Sequence, residues 1–261
     1  MTPEIRPRGL LLSLTAAGLL AIGGCAALGL RHPASAPHPF PTIDAQVQAP
    51  KASARPGGSA LSDEQAVAAL ITQSDLGAPW TSTRGAATWR DGLLKATTSA
   101  GECQRLLDAL YSDELLGAPA RVAVGLDDAD TDAQLRYQIG ARRPADVDAT
   151  LAWLRTMPAK CADFMATSGT GLTEEVQVME APLPEVGDAR QGLHILIGAT
   201  SQDDEERYVL TMDLAAVRVG EDSFAFTNAG LGDVPNDATQ AAVQMGALRL
   251  ADVHRQGRAQ V

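Results

Sequence analysis

The residue in this chain best placed to do chemistry is Cys25. Arg6 and Arg8 precede an apolar run from Gly9 to Leu20, and Ala21-Ile22-Gly23-Gly24 leads directly into the cysteine. A basic start, an apolar core of about 7–15 residues and small residues before a cut make an export signal. Gly23 and Gly24 let the backbone enter a peptidase. A cysteine immediately after the cut, with Ile22 three residues before it, has the spacing at which the thiol is diacylated. The run is too short and too rich in glycine for a span of about 20 residues. Residues 1–24 therefore read as a lipoprotein signal peptide, with Cys25 as the lipidation site. The rest of the chain is expected on the extracytoplasmic face of the cell membrane, held there by the lipid.

With Cys25 acylated, Cys103 and Cys161 are the remaining thiols. Both sit on apolar segments of helical period in an oxidising compartment, which predicts a disulfide. Two buried free thiols or a redox pair are the other readings, although no Cys-x-x-Cys spacing is present to lower a thiol pKa.

Other chemistry is sparse. Beyond the first 60 residues the histidines are His194 and His254, and no Gly-x-Ser-x-Gly elbow accompanies them. His254 falls at a helix C-terminus, where the dipole favours a cation. His194 is expected to face outward from a strand, either solvated or lining a cleft. Asp128-Ala129-Asp130-Thr131-Asp132 resembles the start of a calcium loop, but Ala133 stands where glycine permits the sharp turn and Ile139 where the bidentate Glu belongs. An acidic hairpin turn is the preferred reading. Gly169-Thr170-Gly171 lacks the third glycine of a dinucleotide loop. No catalytic residue, metal ligand or cofactor is assigned, and the chain is read as a non-enzyme. Trp80 and Trp89 lie among Gly77, Pro79, Gly85 and Gly92, where a helix does not readily continue. They either line a cleft mouth or plug the core beneath a loop. Trp80, Trp89 and His194 form the tentative ligand-binding set.

The formal net charge is −11, and loss of Arg6, Arg8 and Glu4 with the signal makes it −12. A surface this acidic argues against nucleic acid, which needs concentrated basic residues, and against direct binding to anionic headgroups. Residues 25–60 carry Pro33, Pro37, Pro39, Pro41, Pro50 and Pro56 and read as a tether with a reach on the order of 30–35 Å. His32 and His38 within it are read as solvated. Residues 61–256 are long enough for one domain with a sizeable core.

Four helices are predicted in that domain. The first opens at Ser62, with Gln65 in the capping-box position, and ends near Thr72. A second is capped by Ser99 and stopped by Gly117-Ala118-Pro119. The third starts at Pro144, is kinked by Pro158 and carries Val147, Leu151, Leu154, Cys161, Phe164 and Met165. The last follows Asn236-Asp237, with Ala238, Ala241, Ala242, Met245, Leu248 and Ala251 inward. Period-two stretches predict strands near 121–126, 134–141, 173–181, 192–200, 208–219 and 223–228. Connections short enough for hairpins make these antiparallel. The fold class is α+β, a curved antiparallel sheet of about six strands flanked by about four helices.

Five short segments carry a resemblance to a known family: Leu70-Ile71-Thr72-Gln73-Ser74-Asp75-Leu76-Gly77, Cys103-Gln104-Arg105-Leu106-Leu107, Cys161-Ala162-Asp163-Phe164, Gly187-Asp188 and Val217-Arg218-Val219-Gly220. In their order and with the paired cysteines, they resemble the extracellular sensor domain of the mycobacterial PknH-type serine/threonine kinases and the stand-alone actinobacterial lipoproteins that share it. The resemblance implies a curved sheet flanked by helices, a cleft able to hold a ligand, and no catalysis. The chain departs from the kinases in lacking a kinase domain, in lacking a membrane helix after the signal, and in having one cysteine pair where that sensor has two.

These readings describe a lipid-anchored, noncatalytic ligand-binding or sensor-like domain of the bacterial cell envelope, whose partner is a small or envelope-derived molecule. The alternative is an interaction module docking on an envelope protein, and a hydrolase using His194 is a third reading. Intact-mass analysis of the native product should show residues 1–24 removed and acyl mass on Cys25. An unmodified thiol with the leader retained would overturn the anchor.

Overall fold

The computed structural model describes residues 61–117, 119–200 and 207–259; the signal, Cys25 and the tether lie outside them. Alternating side chains build nine strands: β1 (Trp80–Ser82), β2 (Ala96–Thr97), β3 (Val122–Asp128), β4 (Gln134–Ile139), β5 (Asp163–Ser168), β6 (Thr173–Glu180), β7 (Ala189–Thr200), β8 (Arg207–Val219) and β9 (Asp222–Leu231). They form one open sheet in the order β1-β3-β4-β9-β8-β7-β6-β5-β2, with every neighbouring pair antiparallel. Among the described residues five α-helices accompany it: α1 (Asp63–Ala68), α2 (Gln73–Leu76), α3 (Gly101–Ser112), α4 (Pro144–Lys160) and α5 (Asn236–Ala259). A π-helical turn spans Arg90–Leu94. None of the described helices is long and apolar enough to cross a membrane.

The sheet packs on both faces. Under α3 and α4, Leu106, Leu110, Leu151 and Leu154 meet Val176, Ile195, Ile197 and Met212. Under α5, Ala242, Val243 and Leu250 meet Tyr137, Val217, Phe224 and Phe226. Tyr137 stacks on both phenylalanines, with ring centroids 5.2 and 6.2 Å away. Gly246 makes this approach possible, since a Cβ there would stand 2.6 Å from Tyr137 Oη. β8 and β9 are consequently buried on both sides over most of their length. Toward the β5 edge the face that α5 covers elsewhere is open, leaving Met165 and Met179 exposed.

The six predicted strands are present, and the sheet is larger than about six because three were not read. β1 and β2 are three and two residues long, too short for a period to register. β5 was assigned to the third helix. That helix runs through Pro158 and ends at Lys160, where Cys161 leaves helical geometry at φ −128° and ψ 31° while its N–H still donates to Met157 O. Phe164 and Met165 then alternate as strand residues, Phe164 against the core and Met165 outward. The first predicted helix divides in two because Thr72 starts a second cap, its N–H and hydroxyl donating to Asp75 Oδ2 at 2.6 and 2.8 Å. α3 begins one residue after Ala100 without a side-chain cap and stops at Ser112, where Asp113 takes a left-handed φ of 57°. In α5 the buried stripe runs through Ala238, Ala242, Val243, Ala247, Leu250 and Val253, while Leu248, expected inward, is 56 % exposed. Seating Gly246 on Tyr137 sets that rotation.

Cys103 on α3 and Cys161 at the C-cap of α4 form the disulfide, buried at the helix–helix contact. Loop-closure entropy across its separation of 58 residues contributes about 4 kcal/mol. The double variant Cys103→Ala/Cys161→Ala should lose stability on that scale in urea unfolding at neutral pH. An unchanged midpoint would show that the cross-link does not constrain the unfolded chain.

Candidate functional site

A groove of about 710 Å³ lies beside β1 and the β3–β4 hairpin. Its walls include Arg84, Trp89, Asp127, Asp128, Asp132 and Leu231. One wall is the segment joining β1 to the π-helical turn, held by the side chain of buried Gln134. Gln134 Nε2 donates to Thr83 Oγ1, Gly85 O and Asp127 Oδ1 at 2.9–3.1 Å, and its Oε1 accepts from the Ala87 amide at 3.3 Å. Asp127 Oδ2 accepts from the Arg84 amide at 3.1 Å. Gly85, with φ 154°, supplies a backbone geometry that other residues rarely adopt. These bonds satisfy backbone groups that no strand or helix pairs.

Trp89 is presented by the π-helical turn that follows it. Arg90 anchors that turn: its Nη2 donates to the carbonyls of Leu110 and Tyr111 and to Asp113 Oδ1 at 3.0–3.3 Å, tying it to the end of α3. Tyr111 Oη donates to Asp91 Oδ1 at 3.0 Å. The Trp89 ring is nine-tenths buried and its Nε1–H finds no acceptor among the described residues. Across the groove, Asp128 Oδ1 accepts the amides of Asp130 and Thr131 at 2.8 and 3.1 Å, an Asx turn that closes the hairpin. Asp132 completes the turn at φ 56°. The sequence resembling a calcium loop is thus a hairpin turn that directs its first carboxylate at its own backbone.

A second arrangement lies on the α5 side of the sheet. His194 on β7 and Asp213 on β8 are direct cross-strand partners, and His194 Nδ1 lies 2.7 Å from Asp213 Oδ1. Asp213 is buried, and its Oδ2 accepts from Thr239 Oγ1 at 2.8 Å and Asn236 Nδ2 at 3.1 Å, at the start of α5. A carboxylate on Nδ1 fixes the imidazole and leaves Nε2 as the outward ring nitrogen. His254 repeats the pairing near the other end of α5, with Nε2 2.7 Å from Asp222 Oδ2.

The three residues of the tentative ligand set occupy different places. Trp80 is buried in the core under α5, Trp89 belongs to the core under α3 and α4 and also borders the groove, and His194 lies on the sheet face away from it. Asp127, Asp128 and Gln134, which shape the groove, were not singled out for that role. Asp213 had a faint signal, as a lone acid in the apolar stretch from Leu210 to Val217, but its partner depends on strand register.

Glu174 on β6 is a separate anomaly. It is completely buried on the α3/α4 side, flanked on its rung by Ala166 and Ala199, and neither carboxyl oxygen has a hydrogen-bond partner among the described residues. Burial raises its pKa from 4.5 to about 7.

No known family description matches the sequence, and no curated protein does. Among solved structures the chain is similar to the extracellular domain of PknH from Mycobacterium tuberculosis, at 14 % identity and a TM-score of 0.43, over 75 % of this chain and 97 % of that one. A likeness of this degree fixes neither family nor function.

Glu174 makes stability depend on pH. Its carboxyl is neutral in the folded protein below about pH 7, whereas the unfolded chain ionises above about 4.5. The folded state therefore loses stability as pH rises from about 4.5 to 7, by roughly 3 kcal/mol at 1.36 kcal/mol per pKa unit, and the loss then levels off. Glu174→Gln should flatten this slope in unfolding measured at pH 5 and pH 8. Equal slopes in the two proteins would remove Glu174 as the cause.

Proposed function

We propose that the chain is a lipid-anchored, extracytoplasmic binding module that takes a small molecule in the groove beside Trp89 and releases it unchanged. The observation that carries this reading is the way the groove wall is built. A segment without regular structure is fixed by Gln134 and Asp127, and an indole is set in place by an Arg90 anchor on the end of α3. Prepared concavities with apolar surface and a few fixed polar groups are the usual form of small-molecule sites. A π-helical turn at the same place fits that use, because such turns concentrate where function demands an unusual backbone.

The noncatalytic part of the reading rests on His194. Its Nε2 has no hydrogen-bonded nucleophile among the described residues, and His194 does not line the groove. The export signal at Cys25 and the disulfide both suit an oxidising compartment. The tether would hold the domain clear of the bilayer, with the lipid rather than the acidic surface making the membrane contact.

The native protein, extracted from its own host in mild detergent, should carry a small molecule resolved by native mass spectrometry. Ala86→Trp, which places an indole at an exposed position of the groove wall, should abolish that adduct while leaving the unfolding temperature within about 2 °C. A ligand retained by Ala86→Trp would put the site elsewhere.

A further inference from the structure

Glu174 is flanked on its rung by Ala166 of β5 and Ala199 of β7, and Tyr208, which is exposed, follows on β8. Both carboxyl oxygens are sealed from solvent and have no partner among the described residues. The inward hydroxyl of β5, on Ser168, is already engaged with Thr170 Oγ1 and the Leu172 amide. The next inward residues of β6 and β7 are Val176 and Ile197, both fully buried. None of the buried residues of α3 or α4 is charged. The remaining cover comes from the 89–97 segment, whose Trp89, Leu93, Leu94 and Ala96 share one buried cluster with Ala166, Val176 and Ala199, and whose π-helical turn packs on β5. Its charged groups are directed elsewhere: Arg90 holds Asp113, Asp91 accepts from Tyr111, and Lys95 is exposed. A carboxyl so placed is stable as the acid and costly as the anion.

An ionised Glu174 regains water by displacing the part of its cover that is held least. β6 and β7 are paired to both neighbours along most of their length. The 90–97 segment is not: β2 pairs only at Ala96 and Thr97, and the π-helical turn belongs to no ladder. We propose that Glu174 is a proton-operated latch on this segment, which seats on the sheet over the acid and lifts away from the anion. Because the π-helical turn directly follows Trp89, lifting it slackens the groove wall at that indole. The latch itself stands on the enclosure of Glu174. Its effect on a bound molecule rests on the groove being the binding site, which then holds that molecule more tightly in acid. The seated form keeps its proton up to about pH 7, whereas a Glu174 reached by water releases it above about 4.5, so lifting increases as pH rises between these values.

Amide hydrogen exchange on the full lipidated protein in detergent, corrected for the intrinsic effect of pH, tests this at pH 5 and pH 8. At both pH values residues 90–97 should open more readily than residues 210–217 of β8, and with little dependence on urea. Their opening should rise by about ten-fold or more from pH 5 to pH 8. Glu174→Gln mimics the acid and should hold the pH 5 behaviour at both, and Glu174→Met, which has no amide to bury, should match it. Acrylamide quenching of Trp89, taken as the difference from Trp89→Phe, should rise at pH 8 in the wild type and stay level in both Glu174 variants. Equal opening free energies for 90–97 and 210–217 would show that Glu174 acts through global unfolding alone, and the latch would fall. It would fall also if either Glu174 variant folds and keeps the wild-type pH response. Lifting without a change in quenching would confine the latch to β2 and remove its action on the groove. No ligand enters either measurement, so a groove that proves empty leaves the latch standing.

Discussion

Helices on both faces leave β8 and β9 without a solvent side over most of their length, and this burial governs how the polar residues of the domain are used. A polar group on a strand covered on both faces has to be paired inside the protein. Asp213 is saturated by His194, Thr239 and Asn236, and Asp222 by His254. Both acids therefore become attachment points for α5, one at its start and one near its end. Between them Ala238, Ala242, Gly246 and Ala247 allow the helix close to the sheet, and Arg249 reaches from it to Asp75, the acid that caps α2. On this account the pairing of His194 with Asp213 belongs to the docking of α5. The outward Nε2 follows from the need to satisfy Asp213, and a reaction is not required to explain it.

What could be read from the sequence divides along the same line. Wherever burial imposes an alternation, as in β6, or a long apolar run, as in β8 and β9, the strands are legible to within a few residues, and the long amphipathic helices are too. The disulfide follows from compartment and count. Legibility fails where one apolar pair fits two periods: Phe164 and Met165 suit a helix continuing past Pro158 as well as they suit β5. It fails again where an element is shorter than its own repeat, as β1 and β2 are. Leu248 was placed inward because the stripe of α5 was read from hydrophobicity alone, whereas its rotation is set by a contact between Gly246 and Tyr137 that only the folded chain contains.

The candidate site was harder to read for the same physical reason. Trp89 is recognisable as an aromatic residue in a glycine-rich stretch, but nothing local separates it from Trp80, which fills the core under α5. The difference comes from Arg90, whose partners are carbonyls and an acid about 20 residues further on. Gln134 and Asp127 likewise look like ordinary strand-end residues until register brings the 83–87 segment against them. Long-range hydrogen bonds made by unremarkable residues leave no periodic trace, and the groove is made almost entirely of such bonds.

Two further acids in this domain are nearly or fully enclosed, and each is relieved in its own way. Glu174 has alanines on either side of its rung, is fully enclosed, and has both oxygens unpartnered among the described residues. A proton is small enough to relieve it, which is the direction in which burial moves its pKa. Asp128 is almost as buried, pairs with Trp80 on the strand face under α5, and spends its Oδ1 on the amides of its own turn. A backbone donor is therefore enough where a turn supplies one, and protonation takes over where the rung supplies only methyl groups.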